Sequence, residues 1–299
     1  NYFINNCDNV MKKLAFIIDS FSGVSQETID QTDDVELLPL KFILDGEEFL
    51  DDQKSYKGEE LFLKIKQAKE FKTSMPSIGL MESVINKLEK EYENIIVLLI
   101  PSFLSSTYST FNSLIKDNPK FHLIDNHFCG DEYLDIAKFA LTELKDYSTE
   151  FIINFIKDIN KNSLNFVIPS DLDHFTKGGR LVSIKKMIIS TINSFSIILK
   201  ITDKDIAFAG IKRTLKGAVK KVASKLKEFA EKNHLHNYIF KLIYSGNASL
   251  LDEVVSVLKQ EEIEVKNVQF ASAIVATHTG YAAFSIGIFP NLDKWLTKA

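Results

Sequence analysis

The sequence predicts two α/β domains, the first built on a doubly wound, mostly parallel sheet and the second on a mixed sheet. Three observations lead there. Short apolar runs recur through the first half and end in polar residues, as strands buried on both faces do. Helical patterns separate these runs, the alternation expected of a doubly wound fold. The second half instead pairs two apolar stretches across a short polar turn, the mark of a hairpin and hence of antiparallel strands.

Taken in order, Leu14-Ala-Phe-Ile-Ile runs into Asp19-Ser20 and Ile95-Ile-Val-Leu-Leu-Ile into Pro101-Ser102. Phe121-His-Leu-Ile then runs into Asp125-Asn126, and Leu164-Asn-Phe-Val-Ile into Pro169-Ser170. All four are expected as strands of the parallel sheet. Helices are predicted over 78–91, 107–116, 131–145 and 149–161. Residues 35–50 place two apolar stretches around Asp45-Gly46, a dipeptide suited to a type I′ hairpin turn. A helix over 58–70 follows. In the second half, strands are predicted at 197–201 and 206–209, a helix at 215–232, a strand at 238–244, a helix at 249–261, and strands at 265–270 and 282–289. The division is expected near residue 165, giving domains 12–165 and 166–299. Residues 1–11 are set aside as an extension or leader, because Met11-Lys-Lys-Leu reads as a natural start.

Composition narrows the function classes. The chain has 299 residues, 45% hydrophobic and 25% charged, a soluble globular mix. With 36 basic against 40 acidic residues there is no global basic footprint, which argues against nucleic acid as a partner. The apolar runs are too short to span a bilayer, and residues 2–10 hold too many Asn and Asp for a signal peptide. Cys7 and Cys129 form no metal or disulfide pattern, so a reducing cytoplasm is the expected compartment. The 23 Phe fit the codon bias of an AT-rich genome better than they argue for a greasy cavity.

In open α/β sheets ligands bind beyond the carboxyl ends of the strands. The hydroxyl-rich turns near those ends are therefore the first candidates. Thr73-Ser74-Met75-Pro76-Ser77 precedes a helix; it reads as a capped helix start, with Ser77 as the N-cap, or as an anion site. Ser102-Phe-Leu-Ser105-Ser106-Thr107-Tyr108 is a second strand-to-helix turn. It lacks the glycines of a hydrolase elbow. Gly178-Gly179-Arg180-Leu181 is a tight turn or a rigid presentation of an arginine, and it is not a phosphate-binding P-loop. His278 follows a strand, as a structural hydrogen-bonder or as a charge-assisted donor to a carboxylate. Asp19, Asp125 and Asp171 stand at separate strand ends, without the compact spacing of a metal site.

Together these segments resemble the DegV family, the fatty-acid-binding partners of bacterial fatty acid kinases. Asp19-Ser20 is similar to the family's T-D-S strand end, and Leu38-Pro39-Leu40 to its V-P-L. Thr73 to Ser77 matches T-S-x-P-S, and Ser102 to Tyr108 matches S-x-L-S-G-T-Y except at the glycine, where Ser106 stands. Gly178 to Leu181 matches G-G-R-[IL], and Thr277 to Gly280 matches T-H-x-G. Asn126 replaces a usual Ser, and Ser194-Phe-Ser-Ile-Ile-Leu replaces a common I-K-P-I-L stretch.

The resemblance implies a long-chain fatty acid held between the two domains, its carboxyl group near the surface. Thr73, Ser74, Ser105 and His278 would bind that carboxyl, with Ser106, Thr107 and Thr279 as further candidates. Arg180 would face the kinase. No catalytic residue, metal or cofactor is expected, and the family precedent is a monomer in the cytoplasm with no stable membrane insertion, transient membrane contact left open. Two other functions stay open at this point: an α/β enzyme using Ser105 or His278 on a small acyl or phosphorylated substrate, and a lipid carrier or sensor with no kinase partner.

Overall fold

The computed structural model describes residues 10–170, 174 and 196–298. Its first sheet has the order β2-β1-β6-β7 and is wholly parallel, formed by β1 (Lys12–Asp19), β2 (Val35–Leu38), β6 (Tyr92–Leu98) and β7 (Phe121–Leu123). Successive side chains of β1 point to opposite faces, and both faces are buried. Phe16 and Ile18 enter one apolar cluster, while Ala15 and Ile17 enter another. Helices α3 (Ile78–Glu91) and α4 (Thr107–Leu114) cover the second cluster through Met81, Val84, Leu88 and Phe111. On the other face, α5 (Glu132–Thr142) and α6 (Thr149–Lys161) contribute Tyr133, Ile136, Ile152 and Ile156. The first domain is therefore doubly wound, as its apolar runs predict.

A small antiparallel sheet, β4-β3-β5, stands apart from it. Strands β3 (Lys41–Leu44) and β4 (Glu47–Leu50) form the hairpin expected around Asp45-Gly46, and both turn residues have positive φ (49° and 84°). The upstream half of that segment, β2, joins the parallel sheet instead. Strand β5 (Phe71–Ser74) pairs with the free side of β3, so Thr73 and Ser74 lie on a strand. Ser77 caps α3, accepting from Leu80 N–H at 3.2 Å. The short α1 (Gln26–Asp30) and α2 (Gly58–Gln67) complete this half.

The second sheet is mixed, with the order β10-β9-β8-β13-β11-β12. Its strands are β8 (Leu164–Ile168), β9 (Ser196–Ile201), β10 (Ile206–Lys212), β11 (Tyr238–Tyr244), β12 (Val265–Phe270) and β13 (Phe284–Pro290). The 164–168 run is the correction: it runs antiparallel to both β13 and β9 and contributes nothing to the parallel sheet. Its five residues are all buried, and a continuously buried run looks the same in either kind of sheet. Helices α7 (Leu215–Ala230) and α8 (Ala248–Gln260) pack on one another and on this sheet through Val219, Val222, Val254 and Leu258. Two short helices follow, α9 (Ala273–Thr279) and α10 (Leu292–Leu296). Among the described residues, no helix is long and apolar enough to cross a membrane.

Candidate functional site

A cavity lies where the two domains meet, with about 1040 Å³ of empty space that is partly open to solvent. Its walls are mostly apolar: Phe21, Leu40 and Ile100 from the first domain, Val167, Ile201 and Ile243 from the second. Polar side chains reach the cavity from three further places. Thr73 and Ser74 come from β5, Ser105 and Ser106 from the turn before α4, and His278 and Thr279 from α9. Thr73 Oγ1 and His278 Nε2 are 2.9 Å apart, a hydrogen bond that joins residues 205 apart in sequence and closes the site across the domains.

The turn before α4 is held by its own hydroxyls. Ser105 Oγ accepts from Thr107 N–H at 3.2 Å and lies 2.8 Å from Thr107 Oγ1. Thr107 does not line the cavity; it is fully buried and fixes Ser105. Ser106 donates to Met75 Sδ at 3.6 Å, linking this turn to the one after β5. Arg180, Gly178, Gly179, Asp171 and Ser194 lie outside the described residues.

Several groups that position the site have no signature in the sequence. The carboxylate of Asp51 is buried and accepts from Ala273 N–H (3.1 Å) and Ile274 N–H (3.3 Å), at the start of α9. Ser272 caps the same helix through Val275 N–H at 3.1 Å. A first-domain carboxylate thus anchors the helix that carries His278. Burial raises the Asp51 pKa to about 7, against the lowering effect of those N–H donors. Asp19 does a similar task at the end of β1, accepting from Phe21 N–H (3.0 Å) and Ile100 N–H (2.6 Å); burial raises it to about 7 as well.

Gln269 on β12 clips two first-domain loops, donating to Ser22 C=O (2.9 Å) and accepting from Asp131 N–H (2.8 Å). Gly130 makes that approach feasible: a Cβ there would sit 2.5 Å from Gln269 Oε1, and its φ is +60°. Below the clip, Lys241 is buried between Asp131 (2.5 Å) and Asp135 (2.8 Å). Another bridge joins α2 to the turn after α9, where Tyr281 Oη donates to Glu59 at 2.8 Å. No cluster of His, Cys, Asp or Glu among the described residues could hold a metal ion.

With this geometry in view, the comparisons are decisive on kinship. The family model described as "Uncharacterised protein, DegV family" matches residues 13–291. The chain belongs to the DegV family. A DegV domain-containing protein of Streptococcus pneumoniae is 27% identical over 292 residues, covering 93% of this chain and 99% of that protein. One from Clostridium acetobutylicum is 25% identical over 285 residues, covering 93% and 99%. Among solved structures, a DegV protein from Streptococcus agalactiae, described as fatty acid binding, superposes with a TM-score of 0.82 at 25% identity, covering 94% of this chain and 99% of that one. A fatty-acid-binding DegV protein from Thermus thermophilus shares the fold, with a TM-score of 0.80 at 18% identity and coverage of 93% and 99%. The two-domain DegV architecture predicted from the sequence therefore holds.

Proposed function

We propose that this protein binds a long-chain fatty acid in the interdomain cavity and presents its carboxyl group to a separate fatty acid kinase. The observation that carries the reading is the Thr73–His278 hydrogen bond, set in a mostly apolar cavity between two domains. Similarity to DegV proteins described as fatty acid binding, such as the one from Streptococcus agalactiae, supports the ligand class.

The physical division of labour is simple. Each methylene buried contributes roughly 0.8 kcal/mol, so the apolar walls supply most of the affinity. A carboxylate left without partners there would cost several kcal/mol. Thr73, Ser74, Ser105 and His278 offset that cost as donors. Ser105 already accepts from Thr107 N–H, and when the Thr107 hydroxyl also donates to it, its own O–H is left to donate to the carboxylate. The protein itself performs no chemistry in this account. The kinase would transfer the terminal phosphoryl group of ATP to the presented carboxylate oxygen, releasing ADP. Arg180 would face that kinase.

The presentation step is tested with fatty-acid-loaded protein, a bacterial fatty acid kinase and labelled ATP. Acyl phosphate should form only when this protein is present, and should fall at least tenfold in Ser105→Ala and His278→Ala. Full lipid retention with no acyl phosphate would leave a carrier and remove the presenting role.

A further inference from the structure

The cavity's hydroxyls differ in one respect. Ser22 accepts from Val24 N–H, Ser272 caps α9, Ser105 is held by Thr107, and Thr279 donates to Val275 C=O. Ser285 also lines the cavity and is 8% exposed, yet its Oγ has no hydrogen-bond partner among the described residues. Strand register sets it between Val167 of β8 and Ile243 of β11, both apolar cavity residues. One step along the same face, the row becomes polar: Asn165, Gly287 and Lys241 stand side by side. Asn165 donates to Glu132 Oε1 at 3.0 Å, and a Cβ on Gly287 would sit 1.9 Å from Asn165 Oδ1, so only glycine leaves room for this amide. The second oxygen of Glu132 is likewise buried without a hydrogen-bond partner among the described residues.

We infer that Ser285 is a polar subsite on the wall of the acyl-chain cavity, and that the fatty acid this protein prefers carries a hydrogen-bonding oxygen, a hydroxyl or keto group, on its chain. The inference rests on the fatty-acid reading above. An unpartnered buried hydroxyl is costly, and a saturated chain pressed against it keeps that cost in place. A chain oxygen removes it, and because a serine hydroxyl both donates and accepts, a hydroxyl and a keto group fit equally. The adjacent polar row makes this part of the wall hospitable to oxygen, where Val167 and Ile243 alone would select for hydrocarbon.

The test is a competition assay on the full chain, using octadecanoic acid and a positional series of its monohydroxylated derivatives. The wild-type protein should bind at least one isomer about 2- to 12-fold more tightly than octadecanoic acid, the range one neutral hydrogen bond supplies. Ser285→Ala should erase that preference and bind octadecanoic acid at least as tightly as wild type does. Octadecanoic acid bound tightest by the wild-type protein, or a preference that survives in Ser285→Ala, overturns the inference while the fatty-acid reading stands. Failure of every acid to bind overturns both. The ranking within the wild-type protein does not depend on how the variant folds.

Discussion

The carboxylate of Asp51 accepts two N–H groups at the start of α9, and that helix carries His278 in its last turn. Its anchoring is pH-dependent. The pKa is raised by burial to about 7, against about 3.9 for an unfolded chain. Between these values the folded protein binds more protons than the unfolded one, so stability falls as pH rises from about 4 to about 7 and levels above that. Asp19, raised by burial to about 7, adds the same sign. Each group contributes up to about 1.4 kcal/mol per pH unit within that window. Asp51→Asn keeps an acceptor oxygen and should flatten the slope by one group's share, measured by urea unfolding at several pH values. At the head-group end, His278→Ala or Thr73→Val should weaken fatty-acid binding by roughly 10- to 100-fold, the worth of a hydrogen bond to a charged group. Titration with a fluorescent fatty acid checks this. Thr73, Ser74, Ser105 and His278 stand out in the sequence because each sits in a short hydroxyl- or histidine-bearing pattern. Asp51 does not: an acidic pair after a hairpin looks like a solvated turn, and its partners are backbone groups more than 220 residues away.

Secondary structure elements were readable wherever local pattern decides. The amphipathic spacing of α3 and α6 and the Asp45-Gly46 turn fix their elements without distant help. β5 was hidden because Phe71-Lys-Thr-Ser is a four-residue edge strand that exists by pairing with β3. α9 was hidden as well; it is two turns long and is capped by Ser272 and the distant Asp51. The 164–168 run points to the wrong sheet because the neighbour of β8, β13, comes from about 120 residues later, and burial on both faces carries no direction. At this scale the Gln269 clip yields a prediction. Gly130→Ala would force a side chain into φ +60° and against both Gln269 Oε1 (2.5 Å) and Ile243 Cδ1 (2.6 Å). We expect a loss of about 1–3 kcal/mol in chemical denaturation. Fatty-acid affinity should fall with it, because Ile243 is part of the cavity wall.

For the molecule as a whole, turns beyond the carboxyl ends of the first sheet meet strands of the second around the cavity, and the bridges that hold the domains together include Asp51 to α9, Gln269 to the Ser22 and Asp131 loops, and Glu59 to Tyr281. The apolar runs show that two such domains should form. They do not show how the domains meet, because these bridges join single side chains to backbone groups and to one tyrosine. A ligand filling the space between the domains binds the folded state alone. At a free concentration of 100 times Kd it should therefore stabilise the protein by about 2.7 kcal/mol, seen as a rise in Tm of several degrees. The central claim is that this cavity holds a fatty acid. Native mass spectrometry of the purified protein, followed by extraction and identification of what it carries, tests that most directly. The account predicts one copurified long-chain acid per chain, displaced by added fatty acid and poorly retained by His278→Ala. A protein that is empty on isolation and stays empty when fatty acid is supplied would contradict it.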